Sequence, residues 1–504
     1  MTVPGLKIDL DAETPVYRQI ADGIRRALEE GRVLAGRKLP PTRDLALQLG
    51  VNRNTVVAAY DLLVEEGVAR SHTGRGTFLV GAPAPVERGA ESASWFTAFS
   101  RAVEGPGVAG LASVYRVAIS NEGISFAGSF PAPDLMPAEA FRRAMNRVLK
   151  EKGGDVLAYG PPAGYPPLRE AIAADLRRRG SRAAAEDILI TNGSQQAIEL
   201  VFRAFVDPGD AVVLDEPTYT GALSVLASLD ARLVGVPSDA HGMRPDLLER
   251  ALERHRPRLL YLQPTFHNPT TRVMPEGRRR EILDLARRHY CPVVEDDWAG
   301  DLRLEGEDIP TLHALDGGGH VIHLSTFSKK LLPGLRIGWL AAPGPVLSRL
   351  ALLKQIEDHG TSLLLQAALH AFLEEGSLAD HLEATRVAYR SRRDTMLRAI
   401  AASFPEGVEV SSPEGGLFVW VTLPRGVDGD EIAASARERG VLLNPGSLFH
   451  FDGGGRNTMR LTFSAVTPEQ IERGISVLGA LLRERVPGGW REREGAAMEA
   501  VPLV

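Results

Sequence analysis

The chain of 504 residues contains one cysteine, Cys291. A disulfide scaffold or a cysteine zinc site needs at least two, so neither forms within the chain, and a reducing cytoplasm is the expectation. No metal is expected. No run reaches the roughly 18 apolar residues that a membrane-spanning helix needs. The longest uncharged stretch, 359–373, contains His and Gln. Residues 1–13 show no basic segment followed by an apolar one, so no secretory signal is expected. A general positive charge is missing too. The net charge is -6, which argues against a uniformly basic nucleic-acid binder. No internal repeat at a fixed period is present.

What is present is globular composition, 44% hydrophobic and 24% charged. At roughly 100–200 residues per domain the length suggests two to four domains. Three segments and a tail are expected. Residues 1–80 are dense and helix-rich. Residues 81–113 are rich in Gly, Ala, Pro and Ser with little periodicity, which reads as a flexible linker. Residues 114–485 alternate apolar strands with helices, the mark of an α/β sheet. Residues 486–504 lose periodicity and read as a frayed tail.

The charge average hides an asymmetry. Residues 32–60 hold Arg32, Arg37, Lys38, Arg43 and Arg53 against Asp44 alone. In this part Val16, Ile20, Ile24, Ala27 and Leu28 recur at helical spacing. Thr42 is placed to cap a second, short helix with Leu45, Ala46 and Leu49 on its apolar face and Gly50 as its stop. Asn52 is placed to cap a third, with Val56, Val57, Tyr60, Leu63 and Val64 inward. Helix, tight turn, helix is the geometry of a helix-turn-helix, whose second helix reaches base edges and phosphates with its N-terminus. Here that terminus is Asn52-Arg53-Asn54-Thr55, polar and free of acids. Two short strands follow, 68–70 and 77–80, around a tip carrying Gly74 and Arg75. Glycine at such a tip lets the backbone approach a groove closely.

Five strings in the large segment share one chemical logic, the handling of a phosphorylated aromatic aldehyde. A strand at 188–190 meets Gly193-Ser194-Gln195 at a helix start, where free N–H groups favour a phosphate. By itself, Gly-Ser here is only a cap. A strand at 212–214 ends in a loop carrying Tyr219, which could stack on a flat ring or merely pack. Asn268, between Pro264 and Pro269 at another strand end, could donate to a phenolate. Val293-Val294 runs into Glu295-Asp296-Asp297-Trp298. Three acids at a buried strand end repel unless a cation such as a pyridinium relieves them, or unless they cap the next element. Cys291 reads as a small buried apolar residue, not a nucleophile. The fifth string delivers Thr326, Ser328, Lys329, Lys330 and Arg336. A lysine amine condenses with an aldehyde, and hydroxyls with an arginine hold a phosphate.

Leu39-Pro40-Pro41-Thr42-Arg43 through Asn52-Arg53-Asn54-Thr55 and Gly74-Arg75-Gly76-Thr77-Phe78 resemble the winged helix-turn-helix of GntR-family transcription regulators. The resemblance implies double-stranded operator DNA as a partner, contacted by Arg43, Asn52, Arg53, Asn54, Thr55, Gly74 and Arg75. Asn52 stands where the family usually has serine. The five later strings resemble fold type I, aminotransferase-like enzymes, over about residues 120–480. That implies pyridoxal 5'-phosphate as cofactor, a large domain with a mostly parallel sheet, and a smaller α+β C-terminal subdomain.

By the same resemblance Lys329 forms a Schiff base with the cofactor, with Lys330 as its rival, and Asp296 pairs with the pyridine nitrogen. Asn268 bonds the ring hydroxyl, Tyr219 stacks on the ring, and Gly193, Ser194, Gln195, Thr326, Ser328 and Arg336 surround the phosphate. Arg460 takes the position that binds an amino acid's carboxylate, and Tyr159 lies in a loop that reaches the cofactor of a partner subunit. Trp298 stands near where relatives carry a tyrosine. An indole N–H donates but cannot accept a proton. The two halves together resemble the MocR subfamily. It implies a homodimeric, cytoplasmic regulator that senses an amino acid or amine, or the cofactor itself. A working aminotransferase is the alternative.

Overall fold

The computed structural model describes residues 6, 8–9, 14–29, 33, 37–66, 68–72, 76–79, 123–317 and 319–485. The Gly74 and Arg75 tip, the linker 81–113 and the tail 486–504 lie outside the described residues. The chain divides into two compact units, one amino-terminal and one containing everything from 123 onward.

The first unit is three helices and a hairpin: α1 (Val16–Glu29), α2 (Thr42–Leu49), α3 (Arg53–Glu65), β1 (Ala69–His72) and β2 (Gly76–Leu79). The hairpin pairs antiparallel, Ala69 with Leu79 and His72 with Gly76. Ile20, Ile24 and Ala27 of α1 are fully buried with Leu45, Ala46, Val56, Ala59, Tyr60 and Leu63. Val57 and Val64, expected inward, are only half-buried. Ala59 takes the inward place between Val56 and Leu63, because spacings of three and four keep to one face. Gly50 ends α2 in the left-handed conformation at φ 66°, as its position suggested. Thr42 is not the cap of α2. Pro41 occupies that position, its ring fixing the entry backbone, and the Thr42 hydroxyl instead accepts from Arg53 Nε at 3.4 Å. Asn52 does cap α3, its side chain accepting from the Asn54 N–H at 2.9 Å.

The second unit is built on β3 (Ile124–Ser125), β4 (Ile188–Thr191), β5 (Ala211–Glu216), β6 (Arg232–Asp239), β7 (Gly242–Met243), β8 (Leu259–Leu262), β9 (Val293–Asp296), β10 (Val321–Thr326) and β11 (Gly338–Ala341). Eight of these form one sheet in the order β4-β11-β10-β9-β8-β5-β6-β7. Neighbours from β10 through β6 run parallel, while β11 and β7 run antiparallel to theirs. Strands β4, β8, β9, β10 and β11 are buried at every residue, the pattern of a sheet covered on both faces. That is why their sequences are continuous apolar runs.

A four-stranded antiparallel sheet follows, built from β12 (Glu409–Val410), β13 (Phe418–Thr422), β15 (Asn444–Pro445) and β16 (Thr458–Thr462). Strand β14 (Val441–Leu442) pairs with β3, so the first described strand of this unit belongs to its last subdomain. Cys291 is buried, and burial pushes its thiol up to about 12, so it is inert at neutral pH, consistent with a packing role.

Candidate cofactor and effector site

The parallel strands all end on one side of the sheet, where ligands of open α/β folds bind. β4 delivers Gly193, β5 delivers Tyr219, β8 delivers Gln263 and Asn268, β9 delivers Asp296, and β10 delivers Thr326, Ser328 and Lys329. The three acids of the fourth string separate by the pleat. Glu295 accepts from the Leu312 and His313 N–H groups at 2.7 and 3.0 Å and from His323 Nδ1 at 2.8 Å, so it caps the following short helix. Asp296 goes to the other face. The capping reading of that string therefore holds for Glu295. Asp297 stands 3.9 Å from Arg179, and its Oδ1 has no partner among the described residues.

Asp296 is buried. Its Oδ2 accepts from Tyr261 Oη at 2.7 Å and Gln263 Nε2 at 2.6 Å, while Oδ1 has no partner among the described residues. Burial pushes this carboxyl up to about 6, against the two hydrogen bonds. A pyridinium N–H at Oδ1 would satisfy the orphan oxygen and reverse the shift.

Gly193 begins helix α4 (Ser194–Phe205) at φ 83°. That positive φ favours glycine, and a Cβ there would lie 2.6 Å from Arg336 Nη2 and push the guanidinium aside. Across from it, a Cβ on Gly338 would lie 2.6 Å from the Ser194 nitrogen. Gly338 therefore lets β11 run close beneath the helix start, a requirement the sequence reading missed. Arg336 donates to the Asn192 carbonyl at 3.2 Å and Ser328 Oγ at 3.3 Å, and Thr326 Oγ1 donates to Ser328 Oγ at 3.0 Å. Tyr219 Oη donates to Gln195 Oε1 at 3.2 Å. Free helix N–H groups, two hydroxyls and a fork-shaped cation make a dianion cradle.

The two lysines part company. Lys329 Nζ donates to the Ser129 carbonyl at 2.9 Å and stands 5.4 Å over the Phe130 ring. Burial, then the charges of Arg460 and Arg336, lower its pKa to about 8. Lys330 pairs with Asp301 and sits 4.8 Å over Phe327. A lysine at about 8 is roughly one-quarter free amine at pH 7.5, against about one part in a thousand at the ordinary 10.4. The rate at which apoprotein captures pyridoxal phosphate, followed by absorbance, should therefore rise with pH and level off just above 8. A rise continuing to pH 10 would show an ordinary lysine.

Arg460 is buried between Phe418 and Phe449, 4.7 and 4.9 Å from their centroids. It donates to Asn268 Oδ1 at 2.8 Å and the Ala127 carbonyl at 3.1 Å, and Nε has no partner among the described residues. Trp298 stacks on Phe418 at 5.4 Å, and its indole N–H has no partner among the described residues. Tyr159, 92% exposed, touches none of this within its own chain.

These residues suit a phosphorylated pyridine aldehyde. Residues 127–478 match aminotransferase class I and II, and residues 16–79 match bacterial regulatory proteins of the gntR family. The chain belongs to the MocR-type regulators. It is 31% identical to "Probable rhizopine catabolism regulatory protein MocR" of Rhizobium meliloti, over 94% of this chain and 95% of that one. It is 37% identical to aromatic-amino-acid aminotransferase 1 of Thermococcus litoralis, over 77% of this chain and 94% of the enzyme. The structure of LysN, an α-aminoadipate aminotransferase from Thermus thermophilus complexed with N-(5'-phosphopyridoxyl)-L-leucine, covers 78% of this chain and 99% of its own, with 36% identity and a TM-score of 0.73. The cofactor of this family is pyridoxal phosphate, and the gntR-type unit makes the chain a DNA-binding protein. No helix among the described residues is long and apolar enough to cross a membrane.

In the DNA-binding unit Arg43, Asn52, Arg53 and Asn54 are exposed and Thr55 is half-buried. The Asn52 oxygen accepts the capping bond, and its NH2 is available to DNA. Arg53, at the first position of α3, makes one long contact among the described residues, to Thr42. Arg53→Ala should weaken operator binding by about 1–3 kcal/mol if it reads a base. It should also flatten the slope of log affinity against log salt by about one if it reads a phosphate. Gel-shift titrations across salt concentrations separate the two, and no change in either removes Arg53 from the interface.

Proposed function

We propose that this regulator senses an amino acid or related amine through pyridoxal phosphate held at Lys329, and transmits its arrival to operator DNA as a homodimer. The observation that carries this reading is the meeting of Lys329, Asp296 and Arg460 in one cleft of a chain that also bears a gntR-type DNA-binding unit. Asp296 Oδ1 would accept from the ring nitrogen, and Asn268 would bond the ring hydroxyl with Trp298 standing near that position. Tyr219 would stack on the ring, and Gly193, Ser194, Gln195, Thr326, Ser328 and Arg336 would hold the phosphate. When bound, the cofactor supplies an aldehyde carbon that exchanges primary amines and a ring that withdraws electrons.

The chain's own groups do the rest. Lys329, low in pKa, gives up its proton easily and would offer the free amine that holds the aldehyde. Arg460 orients a carboxylate by a two-pronged bond. Phe130, Phe418 and Phe449 keep water from both cations. A ligand shifts DNA affinity only by binding two conformations unequally, and that coupling is reciprocal. A two-fold dimer presents two recognition helices, so the operator should carry two half-sites. In this reading Tyr159 serves the partner's cleft, which accords with its exposure.

The test is operator titration of the holoprotein against a panel of amino acids and amines. Affinity unchanged by every member overturns sensing and leaves DNA binding intact. The full set of catalytic positions also supports a working aminotransferase. Multiple turnovers of keto product from an amino acid and a 2-oxo acid would promote that second reading.

A further inference from the structure

Gln263 directly follows β8, is 3% exposed, and was not singled out by any pattern in the sequence. Its amide bonds in three directions. Nε2 donates to Asp296 Oδ2 at 2.6 Å and reaches Tyr261 Oη at 3.3 Å, while Oε1 accepts from the Asn268 N–H at 3.0 Å. Its own backbone N–H donates to Asp215 Oδ2 at 3.3 Å. The orientation of the amide is fixed by chemistry. Flipped, its oxygen would oppose a carboxylate oxygen and its NH2 would oppose an N–H.

We propose that Gln263 is the positioning residue of the cofactor site, one amide that sets the partners of the ring nitrogen and of the ring hydroxyl together. With Tyr261 it saturates Asp296 Oδ2, so the carboxylate keeps its charge in a buried place and offers only Oδ1. Through Oε1 it holds the Asn268 backbone, and the Asn268 side chain in turn carries the bond from Arg460. No apolar side chain can do either. Glutamate keeps the acceptor for Asn268 but loses the standing donor for Asp296. The charged and titratable groups around Asp296 are Tyr261, Asp297, His323 and Lys329, with Asp215 on the far side of Gln263. Of these only Tyr261 also donates to Asp296, and among the described residues it makes no bond to the Asn268 backbone.

The inference rests on the cofactor reading of the cleft. Its test compares parent, Gln263→Leu and Gln263→Glu as full-length proteins loaded with pyridoxal phosphate. Three quantities are read: the cofactor dissociation constant, the pH midpoint of the visible band, and the apoprotein melting temperature. A parent with no visible band refutes the cofactor reading itself, before Gln263 is in question. Given the band, Gln263→Leu should bind the cofactor about 10- to 100-fold more weakly, the loss of a hydrogen bond to a charged group. Its band midpoint should move to higher pH, because a less firmly held Asp296 leaves the ring less positive. A less positive ring draws fewer electrons from the nitrogen that Lys329 contributes.

Gln263→Glu should move the midpoint in the same direction and decides alone if the leucine variant does not fold. An unmoved midpoint in a folded variant overturns the proposal, even if affinity or melting temperature falls, since that pattern belongs to packing alone.

Discussion

Lys329→Ala is expected to abolish the visible band of the purified protein and the borohydride-reducible cofactor adduct, while Lys330→Ala retains both. The two side chains are adjacent in sequence but live in different surroundings. Lys329 Nζ touches a carbonyl and an aromatic face beside Arg460 and Arg336; burial lowers both lysines to about 8, so their partners, not their basicity, tell them apart. Lys330 is tied to Asp301 and covered by Phe327. Swinging into the vacated place would break that ion pair and leave Asp301 to Arg179 alone. The phosphate cradle survives in Lys329→Ala, so the cofactor should still bind, more weakly and reversibly. Folding should hardly suffer, because the removed ammonium was itself desolvated. Peptide mapping after reduction gives the answer directly. An adduct on position 330, or one persisting in Lys329→Ala, would displace Lys329 as the anchor.

Much of this site was legible because it lies at strand ends. A continuous apolar run followed by a polar residue is visible in one dimension, and Gly193, Asn268, Asp296 and Lys329 all follow such runs. The resemblance then gave them roles. What stayed hidden depends on distance in space. Gly338 is an ordinary strand glycine until β11 is seen passing under the Ser194 nitrogen. Gln263 is an ordinary polar residue before a proline until the pleat turns it toward Asp296. The division of labour between Glu295 and Asp296 follows from alternation, but which face holds the cofactor is set by the neighbouring strands. In the first unit the error was local. Thr42 has good capping chemistry, yet Pro41 already fixes the entry into α2. The inward place of Ala59 was missed because a small side chain gives little signal.

Arg460→Ala should cost an amino acid about 2–5 kcal/mol of affinity, roughly 30- to 5,000-fold, the usual loss when one member of a buried charge pair is removed. The guanidinium is buried, forms no ion pair among the described residues, and is pushed down to about 9 by desolvation. Two neutral acceptors and two ring faces hold it. A buried cation so placed is costly by itself, and an incoming carboxylate is what relieves it. Two effects of opposite sign follow. The apoprotein should lose little stability in Arg460→Ala, since the uncompensated charge goes with the side chain, while carboxylate reading collapses. Arg460→Lys keeps the charge but not the fork, and should recover only part of the affinity. The controlled measurement is a spectral titration with leucine and with its decarboxylated amine, 3-methylbutylamine. The parent should prefer the amino acid strongly. Arg460→Ala should bind the two about equally, with the amine's affinity unchanged. A preference that survives the substitution would mean that another group reads the carboxylate, and that Arg460 serves only to hold Asn268 in place.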